Sequence, residues 1–138
     1  MGKGLETLIR LNEWSVDQKR RKLSEILRLI YGFESELTKL EIDLKNEQVS
    51  AAHSPNEAGF LYGYYANAVI NRREIIKLSS QQLEKDADIA REELSLAYRE
   101  LKKFETALES RQKQERNATA RKEQIALDEV GLQIFVKK

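Results

Sequence analysis

From Ile9 to Ala51 every seventh residue is apolar: Ile9, Val16, Leu23, Ile30, Leu37, Leu44 and Ala51 follow without a break. A seven-residue repeat held over this many turns paints one narrow stripe along an α-helix, and such a stripe needs a second helix laid against it. With these residues as position a, the d positions are Leu5, Asn12, Lys19, Ile26, Phe33, Leu40 and Glu47, apolar at four of seven. The pattern predicts a first helix over about residues 5–52. At 1.5 Å per residue that is roughly 70 Å, a rod rather than an ordinary globular helix.

The only proline lies in Ala52-His53-Ser54-Pro55-Asn56-Glu57. There Ser54 can cap a new helix, Pro55 can fill its first position, and Glu57 can close a capping box. Proline also disfavours helical geometry at the residue before it, so the first helix must stop here. The spacing predicts a turn over residues 53–57 and a second helix over about 58–130, antiparallel to the first because the connection is short. Its seam reads Val69, Ile76, Leu83, Ala90, Ala97 and Phe104 at d, with Ala66, Arg73, Ser80, Ala87, Leu94, Leu101 and Leu108 at a. The small residues Ala87, Ala90 and Ala97 face the bulkier Leu23 to Phe33 stretch, large against small. Folding near residue 55 pairs residue i with roughly residue 110 minus i, which leaves about 30 C-terminal residues without a partner in the hairpin.

Composition agrees: Ala, Glu, Lys, Leu and Arg make up 72 of 138 residues, the signature of long helices. Six glycines and one proline are too few to punctuate a sheet fold, and 41% hydrophobic residues are too many for a disordered chain. The expected fold is all-α, one antiparallel two-helix coiled-coil hairpin over residues 1–138 with a C-terminal helical overhang. Two narrow stripes bury little apolar area, so the hairpin is marginal alone and a candidate for stabilisation by a partner.

The net charge of +1 lacks the basic excess that binding to nucleic acid or an anionic membrane calls for, so the expected partner is protein. The absence of cysteine removes disulfides and thiolate metal sites and fits a reducing compartment. No apolar run approaches the roughly 20 residues of a membrane span. The start, Met1-Gly2-Lys3-Gly4-Leu5-Glu6, has no signal-peptide apolar stretch, and Glu6 stands where a myristoylation signal needs Ser or Thr. The reading is a soluble cytoplasmic protein. His53 is the only histidine, so neither a di-iron helical site nor paired imidazoles for zinc can be assembled. Without a Gly-rich phosphate loop, a Gly-x-Ser-x-Gly elbow or a cysteine nucleophile, the chain reads as a non-enzyme that holds no cofactor or metal.

Candidate functional residues are therefore those that a hairpin does not need. Leu8, Leu11 and Trp14 fall outside the a/d stripe, so the first turns are apolar around most of their circumference, as at a docking end. The overhang starts polar, over Glu109 to Gln124, then turns apolar at Ile125, Leu127, Val130, Leu132, Ile134, Phe135 and Val136. Gly131 weakens the helix there, which predicts an apolar tail over 131–138. That tail either folds back over Trp14 or enters a partner's cavity. The cations Lys19, Arg20, Arg21 and Lys22 point in four directions about 100° apart, the pattern of a solvated face. Lys19, however, occupies a d position, as Arg73 occupies an a position. A charge there needs an acidic partner, or a stem long enough to carry it to water. At the opposite tip, Phe60, Leu61, Tyr64 and Tyr65 face outward and only Tyr62 lies on the seam, giving either a second docking surface or rings packed over the turn. The Gly59-x-x-x-Gly63 spacing is too common to mark close helix packing outside a membrane.

The opening Leu5-Glu6-Thr7-Leu8-Ile9-Arg10-Leu11, Trp14, Val16-Asp17-Gln18-Lys19-Arg20-Arg21, the Ser54-Pro55 turn and the Arg111 to Phe135 ending resemble the flagellar export protein FliJ family in an alphaproteobacterial-like form. The resemblance implies a non-catalytic antiparallel coiled coil that forms the central stalk of the type III export ATPase ring, similar in form to the gamma subunit of rotary ATPases. It also implies contacts with the membrane export gate through the second helix and a part in recycling export chaperones. The protein would then lie at the cytoplasmic face of the inner membrane, held there only through its partners. On this resemblance the open end, with Trp14, Lys19, Arg20, Arg21, Leu132 and Phe135, inserts in the ring. A reading of a different class is a generic coiled-coil scaffold or secretion chaperone that works through the tip aromatics. Nucleic-acid binding through Lys19 to Lys22 would show salt sensitivity and conflicts with the charge balance.

Overall fold

The computed structural model describes Gly2–His53 and Ala58–Lys137, and all of these residues are helical. α1 runs over Gly2–His53 and α2 over Ala58–Lys137, two long helices joined by a short linker as a helical hairpin. The capping residues Ser54, Pro55 and Glu57 lie outside the described residues. His53, expected in the turn, is instead the last residue of α1, because proline constrains only the residue directly before it, Ser54. At the other end α1 begins at Gly2 rather than near residue 5, and the Thr7 hydroxyl donates back to the Lys3 carbonyl at 2.7 Å.

The larger departure is at the C-terminus. α2 does not give way to an irregular tail near residue 130 but continues through Gly131 to Lys137. A single glycine costs a helix roughly 1 kcal/mol relative to alanine, too little to end one whose neighbours can keep propagating it. Nothing lies within 4 Å of where a Gly131 Cβ would stand, so the glycine serves no close approach.

The chain forms two compact units. One is Asp17–Ser95. Its buried core is Ile30 from α1 with Val69, Ile76, Ala87 and Ala90 from α2, all at the expected a and d positions. Leu23, Ile26, Phe33, Leu37 and Leu40 are half-buried along the same stripe. Ala87 and Ala90 are almost wholly covered although each offers only a methyl group, as expected where large side chains of the facing helix close over small ones. As partners on α1 advance from Lys19 to Glu36, those on α2 retreat from Glu93 to Arg72, so the helices run antiparallel.

The other unit joins α1 through Val16 with α2 from Leu96 onward. Ile9, Val16 and Leu101 are buried, with Leu5, Asn12, Ala97, Phe104 and Leu108 half-buried around them. Asn12 is tolerated at a d position because its amide nitrogen donates to the Leu8 carbonyl at 2.7 Å, which leaves no polar group stranded in the seam. Beyond Leu108 every side chain described, through Val136, is exposed.

Candidate functional site

The unit that contains Trp14 presents apolar surface in two places. At the start of α1, Ile9 and Val16 turn into the seam, while Leu8, Leu11 and Trp14 remain at the surface, Trp14 at 65% exposure. At roughly 100° per residue, Leu11 and Trp14 lie on the side of α1 away from the seam, where α2 cannot reach them, while Leu8 flanks the seam at a g position. At the end of α2, Leu132 and Phe135 are exposed to 65% and 78%. The overhang does not fold back over Trp14. It stays on the axis of α2, and Leu132 stands roughly 46 Å further along that helix than the seam residue Leu101. The structure therefore leaves these two groups of predicted docking residues apart, each open to solvent.

The overhang is apolar on opposite sides. Ile125, Leu132 and Val136 fall within roughly 40° of one another around the axis, and Leu127, Val130 and Ile134 form a second row almost diametrically across. All six are more than half exposed. Local bonds support the helix: the Thr119 hydroxyl donates to the Glu115 carbonyl at 3.0 Å and the Gln124 amide to Asp128 at 3.2 Å.

The basic run lies in the Asp17–Ser95 unit and resolves into individual roles. Lys19, half-buried at its d position, reaches Glu93 of α2 at 3.5 Å, and Lys22 reaches the same carboxylate oxygen at 3.3 Å. Of the two readings of Lys19, an acidic partner or a stem reaching water, the structure shows the first, and that partner is inside the chain. The Lys22 hydrogen bond, followed by the charges of Lys19 and Lys22, holds the Glu93 carboxyl below its ordinary value. Arg21 pairs with Asp17 one turn back at 3.1 Å. Arg20 is exposed beside Arg21 and Arg28 along a shallow surface depression. Arg73, at its a position, stays at the surface and approaches Glu41 at 3.9 Å. In the other unit, Tyr98 and then Glu105 raise the Lys102 ammonium above its ordinary value, its nitrogen standing 5.5 Å from the Tyr98 ring centre.

At the tip, Leu61 and Tyr64 are exposed, Tyr64 at 78%. Tyr65 is half-buried like the seam residue Tyr62, which corrects the expectation that it faces outward: its position directly before Ala66 puts it at the edge of the seam. Phe60 lies in the first turn of α2, and its side chain is outside the described ones. Gly63 has open space where a Cβ would be, so the two-glycine spacing supports no close contact at that position.

Two features escaped sequence reasoning. The g positions carry cross-helix ion pairs, Lys22 with Glu93 and Glu36 with Arg72, and reading those positions for opposite charge would have found them. A groove of about 630 Å³ also opens where polar Arg73 and Ser80 interrupt the a row, with Ile30, Leu37 and Ile70 lining it. Its rim carries Glu34, Glu41, Glu74 and Glu84 against Arg73 and Lys77, an acidic excess. Among the described residues there is no cluster of three or more metal-ligating side chains, and no helix is long and apolar enough to cross a membrane.

Comparison with known proteins identifies relatives of this chain. The flagellar FliJ protein of Caulobacter vibrioides is 27% identical over 109 residues, 79% of this chain and 78% of its own, with the same figures in a second strain. No solved structure matches the chain. The family model described as flagellar FliJ protein matches residues 1–138, and with a two-helix hairpin carrying an apolar overhang already in view, the chain belongs to the flagellar FliJ family.

Proposed function

We propose that this protein is a non-catalytic stalk of the flagellar type III export apparatus, seated in the export ATPase ring and linking it to the export gate and chaperones. The observation that carries the reading is the overhang: a helix whose described side chains after Leu108 are all exposed and whose last turns are apolar on opposite sides. One flanking helix can cover only one of those sides. A partner that surrounds the helix covers both, and the bore of a ring does so. Trp14 and Leu11, exposed on the outer side of α1, provide a further apolar contact of the kind enriched at interface hot spots.

Mechanistically, a single asymmetric helix in a ring of identical subunits meets each of them differently. It binds one conformation of a subunit better than another, so it makes their states unequal and favours assembly or turnover while binding no nucleotide itself. The exposed charges of α2 give weak, exchangeable pairs that let it shift among subunits. The test is ATP hydrolysis by the export ATPase of the same organism across a concentration series of this protein. Saturable stimulation is expected, and removal of residues 125–138 together with Trp14→Ala should abolish it. Unchanged ring binding by that double variant sinks the reading.

The scaffold or chaperone reading rests on the exposed Leu61 and Tyr64. It predicts that Leu61→Ala with Tyr64→Ala removes partner binding while the overhang truncation does not.

A further inference from the structure

α2 carries a second row of apolar residues that the hairpin leaves uncovered. Within the Asp17–Ser95 unit, Leu61, Ala68, Ile75 and Ile89 recur at intervals of seven, interrupted once by Gln82, with Tyr64 and Leu78 beside them. All six are exposed, Ile75 at 53% and Ile89 at 57%. At roughly 100° per residue the row stands about 130° around α2 from the a/d seam, and the face it forms with Tyr64 and Leu78 is centred about 160° away, so α1 cannot reach it. Four heptads on one face match the length over which a coiled-coil seam becomes specific.

We infer that this face pairs with the same face of a second copy of the chain, antiparallel and about a two-fold axis, with Asn71 of each copy opposite Gln82 of the other. Self-complementarity selects the occupant. In this register Ile75 meets Leu78 and Ile89 meets Tyr64, while the polar members of the row face each other as an amide pair, twice by symmetry. Lys85 falls opposite Ala68, where its stem can lie over the methyl group and its ammonium reach water, and Glu92 falls opposite Leu61 at the outer end of the row, where its carboxylate stays in water. On the flanks Arg72 faces Ser79 and Asn67 faces Asp88, so no like charges are opposed.

Other arrangements are worse. A slip of one heptad sets Ile75 against Lys85 in one direction, or against Asn71 in the other. A parallel pairing stacks Lys85 on Lys85 and Glu92 on Glu92, which like-charge repulsion disfavours. A two-fold interface needs a surface complementary to itself, and this row meets that condition in one register.

The absence of native cysteine gives a direct test. Sedimentation equilibrium of the full chain at up to roughly 100 μM should show a mass moving from 16.0 kDa toward twice that value. Asn71→Cys mixed with Gln82→Cys should form disulfide-linked dimers under mild oxidation. Either variant alone should not, since like residues then lie about 16 Å apart along the axis. Ile75→Glu with Ile89→Glu should weaken association at least about tenfold while helicity by circular dichroism stays unchanged, as both side chains lie off the seam. A 16.0 kDa particle at every concentration overturns the inference. So does a dimer indifferent to the two glutamates, or one in which Asn71→Cys alone cross-links as fast as the mixture.

Discussion

Arg72 grips Glu36 with two parallel bonds, Nε donating to Oε1 at 2.7 Å and Nη2 to Oε2 at 3.0 Å. The fork joins the helices at facing g positions, the geometry in which guanidinium and carboxylate match best. The Arg72 hydrogen bond holds the Glu36 carboxyl below its ordinary value of 4.5 and raises the Arg72 guanidinium in return.

Acid should therefore loosen the hairpin with a definite sign. Glu36 and Glu93 both have depressed folded values, so their contribution is complete above about 4.5 and is lost as pH falls through those values. The thermal midpoint of the native chain should fall more steeply below pH 4.5 than that of Glu36→Gln with Glu93→Gln. Both groups face solvent, so the difference between the two curves should be about a degree or two. Equal slopes would show that these pairs contribute nothing to the folded state.

Ile76 is completely buried, the one large side chain among those described with no exposed surface. Ile76→Ala should cost about 2–4 kcal/mol by urea denaturation, in line with other truncations at packed sites. Ile75→Ala, one residue along and half exposed, should cost far less in the same measurement.

Replacing Gly131 should strengthen the overhang. A methyl group there meets nothing within 4 Å, and the helix is already continuous, so Gly131→Ala gains up to about 1 kcal/mol of local helix propensity. Amide exchange over residues 125–136 should slow in Gly131→Ala and quicken in Gly131→Pro. No change in either variant would count against a helix at that position.

Trp14 is the only tryptophan, so its emission reports a single site. With the ring 65% exposed, the isolated protein should emit like indole in water and be quenched readily by acrylamide. Deleting residues 125–138 should leave that spectrum as it is. A red shift on deletion would mean that the overhang covers Trp14 in solution.

Lys19→Leu should raise the unfolding midpoint, since it places an apolar side chain at a d position and leaves Glu93 paired with Lys22. If the proposed stalk uses Lys19, the same variant should stimulate ATP hydrolysis less while folding better. A loss of stability would show that the Lys19 bond to Glu93 outweighs the seam.

Much of this was legible in the residues. The a and d rows named the core, Ile9, Val16, Ile30, Val69, Ile76, Ala87, Ala90 and Leu101, because a repeat of seven admits one facing stripe. The length of the overhang followed from where the single proline falls. Its conformation did not, because Gly131 reads as a breaker in isolation, while in a long helix its cost is shared with every neighbouring turn. Lys19 left open an acidic partner or a stem reaching water, because the register, known only to within a turn, could not place Glu93 beside it. The exposed row through Ile75 was present in the sequence but overshadowed by the stronger seam on the opposite side of α2.

The overhang also sets the order in which the molecule comes apart. Residues buried between α1 and α2 become accessible only when the hairpin opens, whereas those after Leu108 need no more than a local helix-to-coil fluctuation. Trypsin should nick first at Arg116, Arg121 or Lys122 and leave the hairpin whole, and any partner that sheathes this stretch will announce itself by slowing those cuts.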